Sequence, residues 1–136
     1  MRLWHEELIP KLPRQQLLGQ HRECCALRGK GWGKAHSTIN YVFKYKRERL
    51  VSYHELVMEE MLNRGYNPNK KWFNRQYRGK KSKKDKKINN RMINFLKSRE
   101  NNIYKEHNKK YLQECIINLL DKGVNCKYLE INEVIK

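Results

Sequence analysis

A single carboxylate stands in the most uniformly basic part of this chain. Between Ile9 and Arg47 there are nine Lys or Arg residues and one acid, Glu23, within LLGQHRECC (Leu17 to Cys25). Paired-carboxylate catalysis needs two acids flanking one bond, and two-metal nucleases need several acids on one face; this half of the chain supplies neither. Ser37, Ser52, Ser82 and Ser98 lie outside any nucleophile-elbow pattern. The histidines His5, His21, His36, His54 and His107 form no H-E-x-x-H pair. One carboxylate in a basic cleft does suit amine chemistry on a damaged nucleotide. An amine attacks the sugar C1′, the base leaves and a Schiff base forms. The carboxylate stabilises the cationic sugar and moves protons, and β-elimination cuts the strand. The amine must be partly neutral near pH 7. A lysine, with a pKa of about 10.4, needs a large downward shift, whereas an α-amino group starts near about 8. Cations such as Arg2 and Arg22 would lower it further. The plainer alternative is that Glu23 is only the ion-pair partner of Arg2 or Arg22.

The elements that must position Glu23 follow from periodicity. Pro13 opens a helical pattern and Gly29 closes it, in keeping with the preference for proline in the first turn and glycine past the last. Leu17, Leu18, His21, Cys24 and Cys25 recur at helical spacing as its buried face. Gln16, Gly19, Gln20 and Glu23 share another face. Glycine in a helix interior costs about 1 kcal/mol against alanine, so Gly19 implies either room for something approaching the backbone beside Glu23 or close helix packing. RGKGWGKAH (Arg28 to His36) fails the Walker spacing and reads as a basic turn, whose amides with Lys30, Lys34 and His36 suit a phosphate backbone or solvent. Leu50, Tyr53, His54, Val57 and Met61 predict a second helix, ended by Arg64 and Gly65. Leu112, Cys115, Ile116, Leu119 and Leu120 predict a third, ended by Gly123. Ile88, Met92, Phe95 and Leu96 suggest a shorter one. INYVFKY is compatible with helix or strand, and VNCKYLEINEVIK with a strand or an irregular turn. The expected fold is therefore all-α, a single compact domain of three main helices with short helices and long loops.

Length and charge agree with a nucleic-acid partner. The 136 residues carry a formal net charge of +17, and neutralising phosphates releases counterions from nucleic acid. YRGKKSKKDKK (Tyr77 to Lys87) holds seven Lys or Arg against one Asp; such runs are usually solvated and mobile, and can tether phosphates. No apolar run approaches the roughly 20 residues of a membrane span, and MRLWHEELIPKLP lacks a secretory h-region. A soluble, cytoplasmic, nucleoid-associated protein with no membrane partner is expected. No C-x-x-C pair occurs, so Cys24, Cys25, Cys115 and Cys126 read as reduced core thiols, with a site of Cys24, Cys126 and a histidine as the lesser alternative. Neither a metal nor a cofactor is expected. Trp32, Trp72, Tyr77 and Tyr104 are candidates for base stacking or, more commonly, anchors of core and loops.

Four blocks, MRLW, PRQQLLGQHRE, GWGKAHSTINYVF and VMEEMLNRGYN, together resemble the pyrimidine-dimer DNA glycosylases of the bacteriophage endonuclease V type, closest to a cellular branch beginning MRLW. The likeness runs from Met1 to about Pro68 and resumes at YRG and at IYKEHNKKYLQECIINLL. It implies a small all-α enzyme acting on damaged double-stranded DNA as a monomer, with glycosylase and abasic-site lyase activities. It implies Met1 as the residue whose α-amine is the nucleophile, and Glu23 as the catalytic acid of the R-E pair. Arg2 and Arg22 become DNA contacts. Arg28 stands for a basic residue beyond the pair, at altered spacing, and Gln16 takes the place of a DNA-contacting histidine. Because Arg2 is too large for removal of the initiator, Met1 is expected to be retained. One residue is inserted between Arg2 and Glu23, and NEVIK does not match the family's aromatic C-terminal segment. Residues 1–136 are expected to form one glycosylase-like domain with a Lys-rich loop at about 78–90. The competing function is a non-enzymatic, sequence-non-specific nucleic-acid-binding protein; a partner for an acidic protein has only charge in its favour.

Overall fold

Helix α1 runs from Arg14 to Arg28, between Pro13 and Gly29 as its caps. Gly29 donates back to the Cys25 and Ala26 carbonyls and satisfies the end of the helix. Helix α2 spans Arg47–Asn63 and ends at Arg64, followed by Gly65 at φ +85°, where a left-handed residue is required. Helices α3 (Asn90–Ser98) and α4 (Lys109–Asp121) complete the set; Gly123, at φ +82°, closes α4. Short 3-10 turns at Glu6–Lys11, Asn40–Lys44 and Lys70–Phe73 join them. This computed structural model describes residues 2–33, 38–98 and 103–124. Among them there is no strand, so the all-α expectation holds, and the segment from Ile39 to Tyr45 is resolved as a 3-10 turn. The tail beyond Val124 lies outside the described residues. No described helix is long and apolar enough to cross a membrane.

Helix α2 is the centre of the fold. It packs against α1, α3 and the 3-10 turn at Glu6–Lys11. Its inner face buries Leu50, Tyr53, Val57 and Met61. Leu17 and Cys24 of α1 and Leu112, Cys115, Ile116 and Leu119 of α4 join them in one core. Full burial of each large apolar side chain contributes about 1.5–3 kcal/mol. Two expected core positions fall outside it: Phe95 is 53 % exposed and Leu120 is 45 % exposed, while Ile93, at 0 %, takes the inward place on α3. The apolar stripe of α3 is thus set by Ile93 and Leu96, three residues apart.

The N-terminal segment is not a loose end. Leu3, Trp4, His5, Leu8, Ile9 and Leu12 are all buried. Arg64 ties down the end of this stretch, donating to the carbonyls of Leu12 at 2.6 Å and Pro10 at 3.0 Å. The thiols of Cys24, Cys25 and Cys115 are free, and Cys24 and Cys115 are wholly buried, as small hydrophobes.

Candidate active site

Each of three helices donates one side chain to one of three consecutive backbone carbonyls at the start of the chain. Gln20 of α1 donates to Arg2 O at 2.9 Å, Tyr111 of α4 to Leu3 O at 2.5 Å, and Tyr53 of α2 to Trp4 O at 2.5 Å. Two amides on the same segment are used as well: Arg2 N donates to Glu23 Oε2 at 3.3 Å, and Trp4 N to Gln20 Oε1 at 2.7 Å. The backbone of residues 2–4 is therefore held through both amides and carbonyls, satisfying polar groups that burial would otherwise strand.

Gln20 is the hub. It is 1 % exposed. Its amide nitrogen donates to Arg2 O and, at 3.1 Å, to Glu23 Oε2; its oxygen accepts from Trp4 N and lies 2.9 Å from the Tyr53 hydroxyl, whose one proton goes to the nearer Trp4 O. Both amide protons are in use and the oxygen accepts from Trp4 N, which fixes which end is nitrogen. Sequence periodicity placed Gln20 on the Glu23 face but gave it no role; its spacing three residues before Glu23 is the only signal that pointed to it.

Glu23 is half-buried. Burial raises its carboxyl above the ordinary value, opposed by the Arg2 amide, the Gln20 amide and the Arg22 guanidinium. Arg22 is exposed beside it, and its guanidinium lies 3.7 Å from where a side chain on Gly19 would begin. No other described atom comes that near Gly19. Among the described residues, then, no neighbouring element packs closely on this glycine, and the backbone beside Glu23 is open to them. Gln16 is partly exposed one turn earlier on the same face. The guanidinium of Arg2 lies 5.8 Å from the Trp4 ring centroid.

The behaviour of Arg28 departs from the sequence expectation of a DNA contact. It is 1 % exposed. Its guanidinium donates to the carbonyls of Trp72 (2.8 Å), Asn74 (3.0 Å) and Tyr77 (3.0 Å) and reaches His54 Nδ1 at 3.0 Å. It is a strut that ties the loop after Lys70–Phe73 to α1, with both terminal nitrogens of its guanidinium spent on protein. Lys30 is exposed beyond it, whereas Met1, Lys34 and His36 lie outside the described residues.

Arg28 also decides the state of a neighbouring cluster. His21, Cys25 and His54 bring three potential metal-ligating atoms within 4.8 Å of one another. Arginine can only donate, so His54 Nδ1 is an acceptor and its proton sits on Nε2. That Nε2–H donates to His21 Nδ1 at 2.8 Å. A metal-bound histidine normally has an acceptor behind its second nitrogen; here the partner is a cation. The donor set fits a neutral hydrogen-bond chain, Arg28 to His54 to His21, and not a metal centre. Burial lowers both imidazoles, and Arg28 lowers them further. Burial pushes the Cys25 thiol up to about 12, so it stays protonated.

His107 terminates a second chain. Its Nδ1 accepts from Glu6 N at 3.3 Å, which leaves its Nε2–H to donate to Tyr41 Oη at 2.7 Å. The Tyr111 ring lies 6.5 Å from that of Tyr41 and 5.1 Å from that of His107, and its hydroxyl holds Leu3 O. His107 is thereby a positioning residue for the N-terminal segment. The candidate stacking aromatics are anchors: Tyr104 is 1 % exposed, Trp72 lies 4.8 Å from Tyr77, and Trp32 lies 5.1 Å from Phe43.

A half-buried acid on an open, cationic helix face, bonded to the chain's second residue, is the arrangement that amine-based base excision needs. The family model for pyrimidine dimer DNA glycosylase matches residues 1–74, more than half of the chain. The chain belongs to the pyrimidine dimer DNA glycosylase family. The matched span contains the whole of α1 and α2, and so Gln20, Arg22, Glu23 and Tyr53. Tyr111 and His107, which complete the hold on the N-terminal segment, come from beyond it. Neither a curated protein nor a solved structure matches the chain. Membership gives the chain, at the level of the family, pyrimidine dimer DNA glycosylase activity, with DNA as the substrate.

Proposed function

We propose that this glycosylase excises damaged pyrimidines, such as ultraviolet dimers, from double-stranded DNA, and then cuts the abasic site through the α-amine of Met1. The amine attacks C1′ of the flipped nucleotide, the C1′–N bond breaks, and the base departs with the bonding electrons and a proton. The attacking nitrogen gives up a proton, the sugar ring opens as C1′–O4′ breaks and O4′ takes a proton, and the iminium so formed loses a C2′ proton, after which the 3′ phosphate leaves by β-elimination. Glu23 stabilises the cationic sugar and carries protons between these steps. A second acid would repel the DNA and hold the amine as an ammonium ion.

The observation that carries this reading is the bond from Arg2 N to Glu23 Oε2, on a segment whose next three carbonyls are clamped. The residue before Arg2 is joined one peptide bond from that contact, and consecutive Cα atoms are only about 3.8 Å apart. The raised carboxyl of Glu23 suits a group that both takes and gives protons near neutrality. Arg2, Gln16, Arg22, Lys30, Lys34 and His36 are the proposed DNA contacts, while Arg28 acts by holding the loop. The enzyme acts as a monomer and is nucleoid-associated.

Borohydride trapping with abasic-site DNA tests the mechanism. The untagged chain, with its first residue verified by intact mass, forms a covalent adduct at the N-terminus. A blocking N-terminal extension, or Glu23→Gln, loses strand cleavage and keeps DNA binding. Full cleavage by either variant refutes the assignment, and binding without any adduct in the untagged chain marks a non-enzymatic DNA-binding protein.

A further inference from the structure

We propose that the segment from Arg78 to Lys87 is a rigid basic shelf that binds the phosphates of duplex DNA beyond the lesion. Its partner rests on the DNA reading above; its place goes beyond that reading, because the segment lies outside the matched residues 1–74.

A run of lysines is ordinarily a solvated tether. This one is pinned along its length. Arg28 holds the Trp72, Asn74 and Tyr77 carbonyls. Arg78 Nε donates to Arg28 O at 2.8 Å. Asp85 N donates to Gln76 O at 2.9 Å, and Asn89 N to Glu48 Oε2 at 2.8 Å. The approach to α1 is so close that a side chain on Gly29 would begin 2.7 Å from Arg78 O. Likewise, one on Gly31 would begin 2.5 Å from Ala26 O, which explains Gly29 and Gly31 of RGKGWG.

The charge on this scaffold is available. Lys80, Lys81, Lys83, Lys84, Lys86 and Lys87 are all exposed, and none forms an ion pair among the described residues. Asp85, the one acid, is occupied by the Lys87 amide at 3.1 Å and Arg47 at 3.5 Å.

The shelf continues the face of α1 that carries the site. Ala26 stands one turn beyond Arg22 and Glu23, and it lines a pocket of about 490 Å³ with Gly29, Lys30, Arg78, Lys80 and Lys81. Carbonyls at a helix C-terminus repel phosphate; here Arg78 covers those of Arg28 and Gly29, at 2.8 and 3.3 Å. Six residues of helical rise from Glu23 to Gly29 cover about 9 Å. With the phosphates of one strand rising about 3.4 Å each along the duplex axis, an α1 lying along that axis brings the shelf to the duplex two or three nucleotides from the lesion.

The test is binding of an undamaged duplex by the full chain as salt is varied, a readout that does not depend on whether Glu23 does chemistry. The combined variant Lys80→Gln, Lys81→Gln, Lys83→Gln and Lys84→Gln should bind at least tenfold more weakly near physiological salt. Its plot of log affinity against log salt should be shallower by about 2–4, at roughly 0.9 per lost phosphate contact, with an unchanged thermal midpoint. Arg78→Lys keeps the charge and loses the fork, so it should weaken binding at constant net charge. The shelf is refuted if the fourfold variant keeps the parent slope, or if Arg78→Lys binds like the parent. A loss confined to anionic phosphatidylserine vesicles, with duplex binding intact, equally overturns it.

Discussion

The Arg2 amide donates to the Glu23 carboxylate across 3.3 Å, linking residues 21 positions apart. The contact is a bond from a backbone amide and leaves the guanidinium of Arg2 out of it. It also lets the acid orient the chain at its start.

Glu23→Gln keeps the size of the side chain and removes its charge. Cleavage of abasic-site DNA should fall by about 10²–10⁴-fold, the usual share of a positioned acid–base group. Affinity for undamaged duplex should change less than about threefold. Single-turnover cleavage beside anisotropy titration separates the two. Because burial raises the Glu23 carboxyl, the acidic limb of the parent's pH–rate profile should fall above the ordinary carboxylate range, and Glu23→Gln should abolish that limb.

Gln20→Ala removes the bonds of the amide at once and strands Trp4 N and the Arg2 carbonyl. Unpaired buried polar groups cost about 1–3 kcal/mol each, so a total loss of about 2–4 kcal/mol in urea unfolding is expected. Tyr111→Phe releases only the Leu3 carbonyl and should cost about 1 kcal/mol. It should still slow cleavage more than it weakens binding, since it loosens the segment that precedes the chemistry.

Gly19→Ala sorts room from packing. An added Cβ meets only the Arg22 guanidinium, at 3.7 Å, so the folded chain accommodates it. Helix propensity should add up to about 1 kcal/mol of stability. If the open backbone is where DNA approaches, affinity for lesion-containing duplex should fall while the melting temperature rises. A variant that gains stability and keeps affinity would separate Gly19 from binding.

Acid should destabilise the fold through its neutral histidines. Burial holds His107 down at about 3, from an ordinary 6.5, with His5 lowering it further. A histidine depressed in the folded state contributes stability that is present above about 6.5 and lost as pH falls towards its folded value. Between pH 7 and pH 5 His107 alone should account for about 2 kcal/mol. His5, His21 and His54 act with the same sign. Glu6 opposes them: burial pushes its carboxyl up to about 7, so its contribution shrinks as pH rises from about 4.5 to 7. Urea unfolding at pH 7 and pH 5 should show a net loss in acid, smaller by about 2 kcal/mol in His107→Asn.

Helix positions were legible because each rests on a local pattern. Pro13 and Gly29 bracket α1, Gly65 follows α2 and Gly123 follows α4, since caps depend on backbone conformation over a few residues. The isolation of Glu23 was legible as a count along the chain. Arg28 was misread for a physical reason: a guanidinium serves phosphates and backbone carbonyls equally well, and only the return of the chain at Trp72 to Tyr77 selects the carbonyls. Phe95 and Ile93 exchange places because α3 is docked by its ion pairs, Lys97 with Glu55 and Glu59, as well as by its apolar residues.

By itself, the sequence determined the helical content, the basic charge and a lone acid on a helix face beside a glycine, because composition and 3.6-residue periodicity are local properties. Only the tertiary structure decided that Gln20, Tyr53 and Tyr111 converge on the carbonyls of residues 2–4. The same holds for the pinning of the lysine run against α1. Those contacts join residues up to 108 positions apart, and hydrogen bonds of that reach are set by how helices pack, which no local pattern encodes.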